Sequence, residues 1–303
     1  MPESRLRTIE TDVLRLAYED AGPVGDEPVV LLHGFPYDPR AYDGVVSRLT
    51  AAGRRTITPY LRGFGPTRFR SPMAVRSGQQ AAIGDDLRRL LDALDLRQAT
   101  LVGYDWGGRA ACVVAALWPE RVRGLVSVDG CTIQDIAASV RPASPELEYR
   151  HWYQFYFHTE RGRAGLTAHR RDLCRLLWAL WSPTWRFDDA TYARTAASFD
   201  NPDFVDVVIH SYRHRYGYAP GEPRLAHLER RLAEQPKITV PTVVLQGADD
   251  GVTMTAPADH HARQFDGPFS YRLVPGVGHN MPQEAPAAIA EAVQELLGHA
   301  TCS

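Results

Sequence analysis

Residues 99–108 read Ala-Thr-Leu-Val-Gly-Tyr-Asp-Trp-Gly-Gly, and the fold turns on them. Ala99 to Val102 is a short apolar run that predicts a strand, and Gly107 to Trp118 predicts a helix. Between them, Gly103-Tyr104-Asp105-Trp106-Gly107-Gly108 places small residues on both sides of a central Asp. That spacing suits a tight, strained strand-to-helix turn that pushes its central side chain up as a nucleophile. Helix-start N–H groups lie beneath such a side chain. A carboxylate is ionised near neutral pH and attacks carbon without help from a base. It suits displacement at an sp3 carbon better than attack on an ester carbonyl. An isolated Asp before a helix would be a cap, but the glycine setting favours Asp105 as a nucleophile.

The same alternation extends outward. Pro28–Leu32 (PVVLL) predicts a strand, 41–52 a helix and 56–59 a second strand. Residues 81–94 carry Ile83, Leu87, Leu90, Leu91 and Leu94 at helical spacing, with Asp85, Asp86, Arg88 and Arg89 expected on the opposite face. Val122–Val128 is a further strand. From about residue 132 to 236 strand signals fade, and HWYQFYF, LCRLLWALWSPTW and DFVDVVIHSYRHRYGY predict helices. Strands return at TVVLQG (242–247) and 271–274, and Ile289, Val293, Leu296 and Leu297 mark a closing amphipathic helix. This is the pattern of an α/β fold, a mostly parallel twisted sheet flanked by helices. The expected division is a core of residues 1–130 and 238–303 with an inserted helical cap at 131–237. The cap should cover the carboxyl edge of the sheet, where open α/β folds bind ligands.

Composition narrows the class. Of 303 residues, 44% are hydrophobic and 23% charged, and 34 basic against 36 acidic side chains leave a net charge of -2. That balance lacks a nucleic-acid footprint. The cysteines at 112, 131, 174 and 302 have no metal or redox spacing. No stretch is apolar enough for a leader or a membrane span. The expectation is a cytoplasmic protein without cofactor or metal, acting on a small apolar or aromatic substrate plus water. A homodimer is compatible with the sequence.

Two further segments carry chemistry. His33-Gly34-Phe35-Pro36 follows the first apolar strand, where a loop N–H can join the N–H after the nucleophile in an oxyanion hole. The donors would be the backbones of Phe35 and Trp106, with His33 fixing the loop. Gly276-Val277-Gly278-His279 lies on a glycine-rich loop after the last strand. In the order nucleophile, acid, histidine, His279 becomes the base. Three carboxylates compete to orient it. Asp250, in Gly247-Ala248-Asp249-Asp250, is favoured by its distance from the strand end; Asp129, after another strand, and Asp249 are the competitors.

HGFP, GYDWGG and a late GH resemble the α/β-hydrolase superfamily, in particular its branch of epoxide hydrolases and haloalkane dehalogenases. The resemblance spans essentially the whole chain. Epoxide hydrolases use two cap tyrosines to donate to the epoxide oxygen, in motifs like Y-Q-x-Y-F and W/S-Y-R. Here the matching segments are Tyr153-Gln154-Phe155-Tyr156-Phe157 and Ser211-Tyr212-Arg213. Ring opening makes an alkoxide, a bad leaving group without an acid, so the resemblance implies Tyr153 and Tyr212 as donors. The implied enzyme is an epoxide hydrolase forming a vicinal diol through an Asp105 alkyl ester. Haloalkane dehalogenases imply the alternative, halide displacement by the same Asp. Trp106 matches their halide donor, but Phe35 stands where an Asn would help, and Trp152, Trp178, Trp181 and Trp185 are the cap tryptophans available. Fluoroacetate dehalogenases hold a carboxylate with two Arg; Arg109 matches the second and Trp106 replaces the first. Their cap His-Trp pair is matched only superficially by His151-Trp152, so a carboxylate on the substrate is not expected. A non-catalytic receptor on this fold is a further alternative, disfavoured by intact nucleophile and base motifs.

Two constellations have plainer readings. His210 and His214 are four apart on a helix but lack a third ligand, so a solvated face is expected. Arg62-Gly63-Phe64-Gly65 lacks the Lys-Ser/Thr of a phosphate loop.

Overall fold

A computed structural model of the protein describes residues 4–24, 27–130 and 132–299. Among the described residues nine strands form one sheet. They are β1 (Arg5–Glu10), β2 (Leu14–Ala21), β3 (Val29–Leu32), β4 (Thr56–Pro59), β5 (Arg68–Phe69), β6 (Ala99–Gly103), β7 (Val122–Val128), β8 (Thr242–Gly247) and β9 (Phe269–Val274). The order is β1-β2-β4-β3-β6-β7-β8-β9, with β5 beside β2. The six strands from β4 to β9 in that order run parallel, and β1, β2 and β5 pair antiparallel. Every residue of β3, β4, β6 and β8 is buried. Parallel strands covered on both faces have no polar side to alternate with, which is why they read as plain apolar runs.

Helices α1 (Asp43–Ala51), α2 (Gln80–Ala93) and α3 (Asp105–Leu117) follow the early strands. Between β7 and β8 run α4 (Pro145–Arg150), α5 (Trp152–His158), α6 (Glu160–Trp181), α7 (Asp189–Ala196), α8 (Phe204–Arg215) and α9 (Ala226–Ala233). The chain ends with α10 (Ala258–Ala262), α11 (Met281–Glu284) and α12 (Pro286–His299). α2 packs on α3 and α1 on α12. No helix among the described residues is long and apolar enough to cross a membrane. Cys112 and Cys174 are buried; Cys131 and Cys302 lie outside the described residues.

Polar bonds fasten the inserted helices over the loops that follow β3 and β4. The Trp178 indole donates to Pro36 O at 2.9 Å, and Asn201 Nδ2 donates to Gly65 O and Thr67 O. Asp38 is buried and accepts from the Thr195 and Ser198 hydroxyls at 3.0 and 2.6 Å. α9 instead leans on the core, its Leu228 and Leu232 packing with Ala81, Ala82 and Val113. His210 and His214 do not lie on a solvated face. His214 is 7% exposed, and His210 Nδ1 accepts from Gly78 N at 3.1 Å. The helix that carries them is pressed onto the core, and the stacked rings fill that seam.

α2 corrects a second expectation. Asp85 and Asp86 are buried, not solvated. Their charges are matched: Asp85 bonds Arg88, Arg89 and Arg224, which hold its pKa to about 2 although burial opposes this. Asp86 takes a two-pronged bond from Arg62, at 2.6 and 2.7 Å. Arg62 also donates to Ser77 O, so the loop 62–65 is a structural strut rather than an anion cradle. Removing one member of a buried pair strands the other charge. Asp86→Ala should therefore lower unfolding free energy by about 3–5 kcal/mol in urea titrations. A loss below about 1 kcal/mol would show that Arg62 finds other partners.

Candidate active site

β6 delivers the chain to Asp105, the first residue of α3, at φ 50°. That left-handed conformation is uncommon for a residue with a side chain and stores on the order of 1–3 kcal/mol of strain. Neighbouring glycines make it sterically possible. A Cβ on Gly107 would lie 2.0 Å from Leu32 O, and one on Gly34 would lie 2.4 Å from the Asp105 side chain. The tight approach brings β3's loop onto the elbow: Phe35 N–H donates to Asp105 Oδ1 at 2.7 Å. The Trp106 N–H belongs to the first turn of α3, where no intrahelical carbonyl can accept it. His33 is fully buried, which lowers its pKa to about 4. Its Nε2 accepts from Leu61 N, and its Nδ1 reaches Gly34 O, so it braces the loop as a neutral ring.

Opposite Asp105 stands His279, 3% exposed. Its Nδ1 is 2.8 Å from Asp250 Oδ2, and its Nε2 lies 3.9 Å from Asp105 Oδ2 without a hydrogen-bond partner. Asp250 Oδ1 accepts from Val252 N and Thr253 N, at 2.6 and 2.9 Å, which fixes the carboxylate plane. Asp129 also reaches Nδ1, at 3.6 Å, but among the described residues neither of its oxygens has a hydrogen-bond partner. Burial, then the Asp250 charge, pushes the Asp129 pKa far above the usual carboxylate range. Asp249 is not among the groups against the imidazole; its N–H bonds Val277 O instead. Burial opposes a charged His279, but Asp250, then Asp129 and Asp105, outweigh it and raise its pKa to about 10. Asp129, Asp250 and His279 bring potential ligand atoms within 4.8 Å, yet Asp250 and His279 direct theirs at each other.

Sequence reasoning missed what holds this loop. His279 N–H donates to Trp181 O at the end of α6, and Asn280 N–H to Ser182 Oγ. Glu284 bonds both the Ser182 hydroxyl and Gly278 N–H. Glu284 lies in the quoted PGVGHNMPQEAP run, but no local signal ties it to a residue 102 positions earlier.

The inserted helices bring Tyr153 and Tyr212 together edge to face, ring centroids 5.4 Å apart. Both phenols are buried, and both feel the Asp105 charge; burial first, then neighbouring charge, keeps them protonated. Gln154 Nε2 donates to Tyr153 Oη at 3.0 Å, which leaves the phenolic hydrogen free to donate elsewhere. The Tyr212 hydroxyl has no partner, nor has the Trp106 indole N–H. Trp106, Phe35, Phe157 and Trp181 close the aromatic wall. Asp105, His279 and Tyr153 open onto a cavity of about 720 Å³. Its wall is less apolar than expected, since Arg109 and Arg215 line it beside Ile133, Phe155 and Val252.

This architecture is matched elsewhere. A family model described as the alpha/beta hydrolase fold covers residues 27–284. The crystal structure of a candidate epoxide hydrolase from Klebsiella pneumoniae is 46% identical, covers 96% of this chain and 97% of its own, and superposes with a TM-score of 0.94. Epoxide hydrolase A of Mycobacterium tuberculosis is 25% identical across 96% of both chains. A haloalkane dehalogenase of Mycolicibacterium paratuberculosis is 36% identical, over 40% of each. Strand order, elbow and family match agree: the chain belongs to the alpha/beta hydrolase fold family.

Proposed function

We propose that the protein is an epoxide hydrolase that uses Asp105 as its nucleophile. The observation that carries this reading is the pair of protonated phenols, Tyr153 and Tyr212, packed together within the field of Asp105. Relatives named epoxide hydrolases over the full chain length support it. Asp105 Oδ1 is occupied by Phe35 N–H, so Oδ2 is the atom free to attack. Oδ2 bonds the epoxide carbon as that carbon's bond to the ring oxygen breaks, and a tyrosine gives the oxygen its proton. The resulting ester keeps Oδ1 against the Phe35 N–H, with Trp106 N–H as the second donor. His279 Nε2, oriented by Asp250, takes a proton from water, and the hydroxide attacks Cγ. The Cγ–Oδ2 bond then breaks, the diol leaves after regaining a proton from His279, and the remaining proton restores the tyrosine. Residues 131–237 act as the cap that supplies both phenols.

Halide displacement is the second reading, favoured by the unpartnered Trp106 indole N–H, a ready halide donor. The phenols separate the two. Tyr153→Phe and Tyr212→Phe should each lower epoxide turnover about 100-fold, the usual worth of a positioned acid. Unchanged turnover of a styrene oxide panel in the double variant, or release of halide that ignores both tyrosines, would overturn the assignment.

The acids also separate. Asp250→Asn should slow ester hydrolysis by about 10³-fold or more by losing the charge that orients the imidazole. Asp129 stands farther from the imidazole, at 3.6 Å against 2.8 Å, and Asp129→Asn should change that hydrolysis by less than about threefold. The reverse ranking in single-turnover quench experiments would make Asp129 the orienting acid.

pH gives a third check. The base form of His279 is the deprotonated ring, and alkylation erases the Asp105 charge that helps hold the proton on. Ester hydrolysis should therefore rise with pH from about 6 to about 9, with its inflection below about 10. Ester formation, which uses no base, should not share that rise. Hydrolysis that falls with rising pH would contradict the role of His279.

A further inference from the structure

The cavity holds two guanidinium groups without partners. Arg109 lies one turn after Asp105 on α3 and is 6% exposed. Arg215 is the last residue of α8, three after Tyr212. Both line the cavity. Among the described residues neither makes a hydrogen bond or an ion pair; the sole recorded contact is Arg109 against the Trp106 ring, at 5.9 Å. The contrast with Arg62 is plain, since that equally buried side chain is fully matched by Asp86 and backbone carbonyls. The cavity's own acids bond other groups: Asp105 accepts from Phe35 N–H, Asp135 caps Ala138 N–H and Glu148 accepts from Ala143 N–H, and the Asp105 charge supports Arg109 only in part.

We propose that Arg109 and Arg215 form an anion subsite between core and cap, and that the substrate is a short epoxide bearing a carboxylate. Two like charges placed together, one deeply buried, are unfavourable without a counterion. Burial, followed by the Arg215 charge, accordingly lowers the Arg109 pKa. A planar carboxylate meets guanidinium groups through paired N–H bonds. It also needs that neutralisation here, because an anion must approach the Asp105 carboxylate. Arg109 follows Asp105 by four residues on α3 and Arg215 follows Tyr212 by three on α8, so each arginine starts about one helical turn from the reacting groups, which suits a short spacer between ring and carboxylate. The sequence alone argued the other way: Arg109 stood without its expected companion at Trp106, and Arg215 carried no motif. The companion comes instead from the cap.

The substrate assignment rests on the epoxide reading, so the experiment has a binding arm free of epoxide chemistry. Isothermal titration of wild type with hexanoate and with hexanamide should show the acid binding about tenfold tighter or more. Arg215→Gln and Arg109→Gln should erase that difference. Should Arg109→Gln not fold, the half-exposed Arg215 position decides. The second arm compares kcat/KM for terminal epoxyhexanoate and epoxyhexanamide. A preference for the acid of about tenfold or more that vanishes in Arg215→Gln supports the proposal. Equal binding of hexanoate and hexanamide by wild type, or an acid preference that survives Arg215→Gln, overturns the subsite. Arginine-dependent hexanoate binding with neither epoxide hydrolysed keeps the anion site and overturns the epoxide reading.

Discussion

The close approach of β3's loop to the elbow at Asp105 is the constraint from which the site follows. Gly107 packs so near Leu32 O, and Gly34 so near the Asp105 side chain, that neither position admits a Cβ. The approach forces Asp105 into the left-handed region and sets Phe35 N–H against its Oδ1. One carboxylate oxygen is thereby held by a backbone donor, and the other is turned toward His279. Pre-positioned donors of this kind need no reorganisation during reaction.

In the proposed reaction Asp105, His279 and Asp250 would act as nucleophile, base and orienting acid, and the inserted helices would add the proton donors for the alkoxide. α5 and α8 bring Tyr153 and Tyr212 over the elbow, and Gln154 fills the acceptor position on Tyr153 so that its hydrogen points elsewhere. The same helices are tied to the core by Trp178, Thr195, Ser198 and Asn201, while the end of α6 anchors the His279 loop. Cap placement and base placement are therefore mechanically linked.

Much of this was legible in the sequence because parallel strands buried on both faces read as apolar runs, and because the glycines of the elbow have a steric reason. Residues 5–21 were not legible as strands. β1 is an exposed edge with a polar composition, and the pattern of β2 breaks at Glu19 and Asp20. The orienting acid could not be fixed either. β7 and β8 are neighbours in register, so the loops after both deliver a carboxylate to the same imidazole, at 3.6 and 2.8 Å. The shorter contact of Asp250 and the backbone N–H groups of Val252 and Thr253, which fix its carboxylate, separate them. The burial of Asp85 and Asp86 escaped pattern reading because Arg62 and Arg224, which cover them together with Arg88 and Arg89 of the same helix, come from outside it. Arg215 escaped for a similar reason, since the cavity it shares with Arg109 is built from two distant helices.

The proposed reaction requires Asp105 to form a covalent ester that His279 then helps to hydrolyse. The direct measurement is the intact mass of His279→Gln after exposure to an epoxide, followed by peptide mapping. The account predicts an adduct equal to the whole epoxide mass, located on Asp105. A folded variant that gains no mass from epoxides, or gains from haloalkanes the mass of the alkyl group without its halogen while ignoring epoxides, would contradict it.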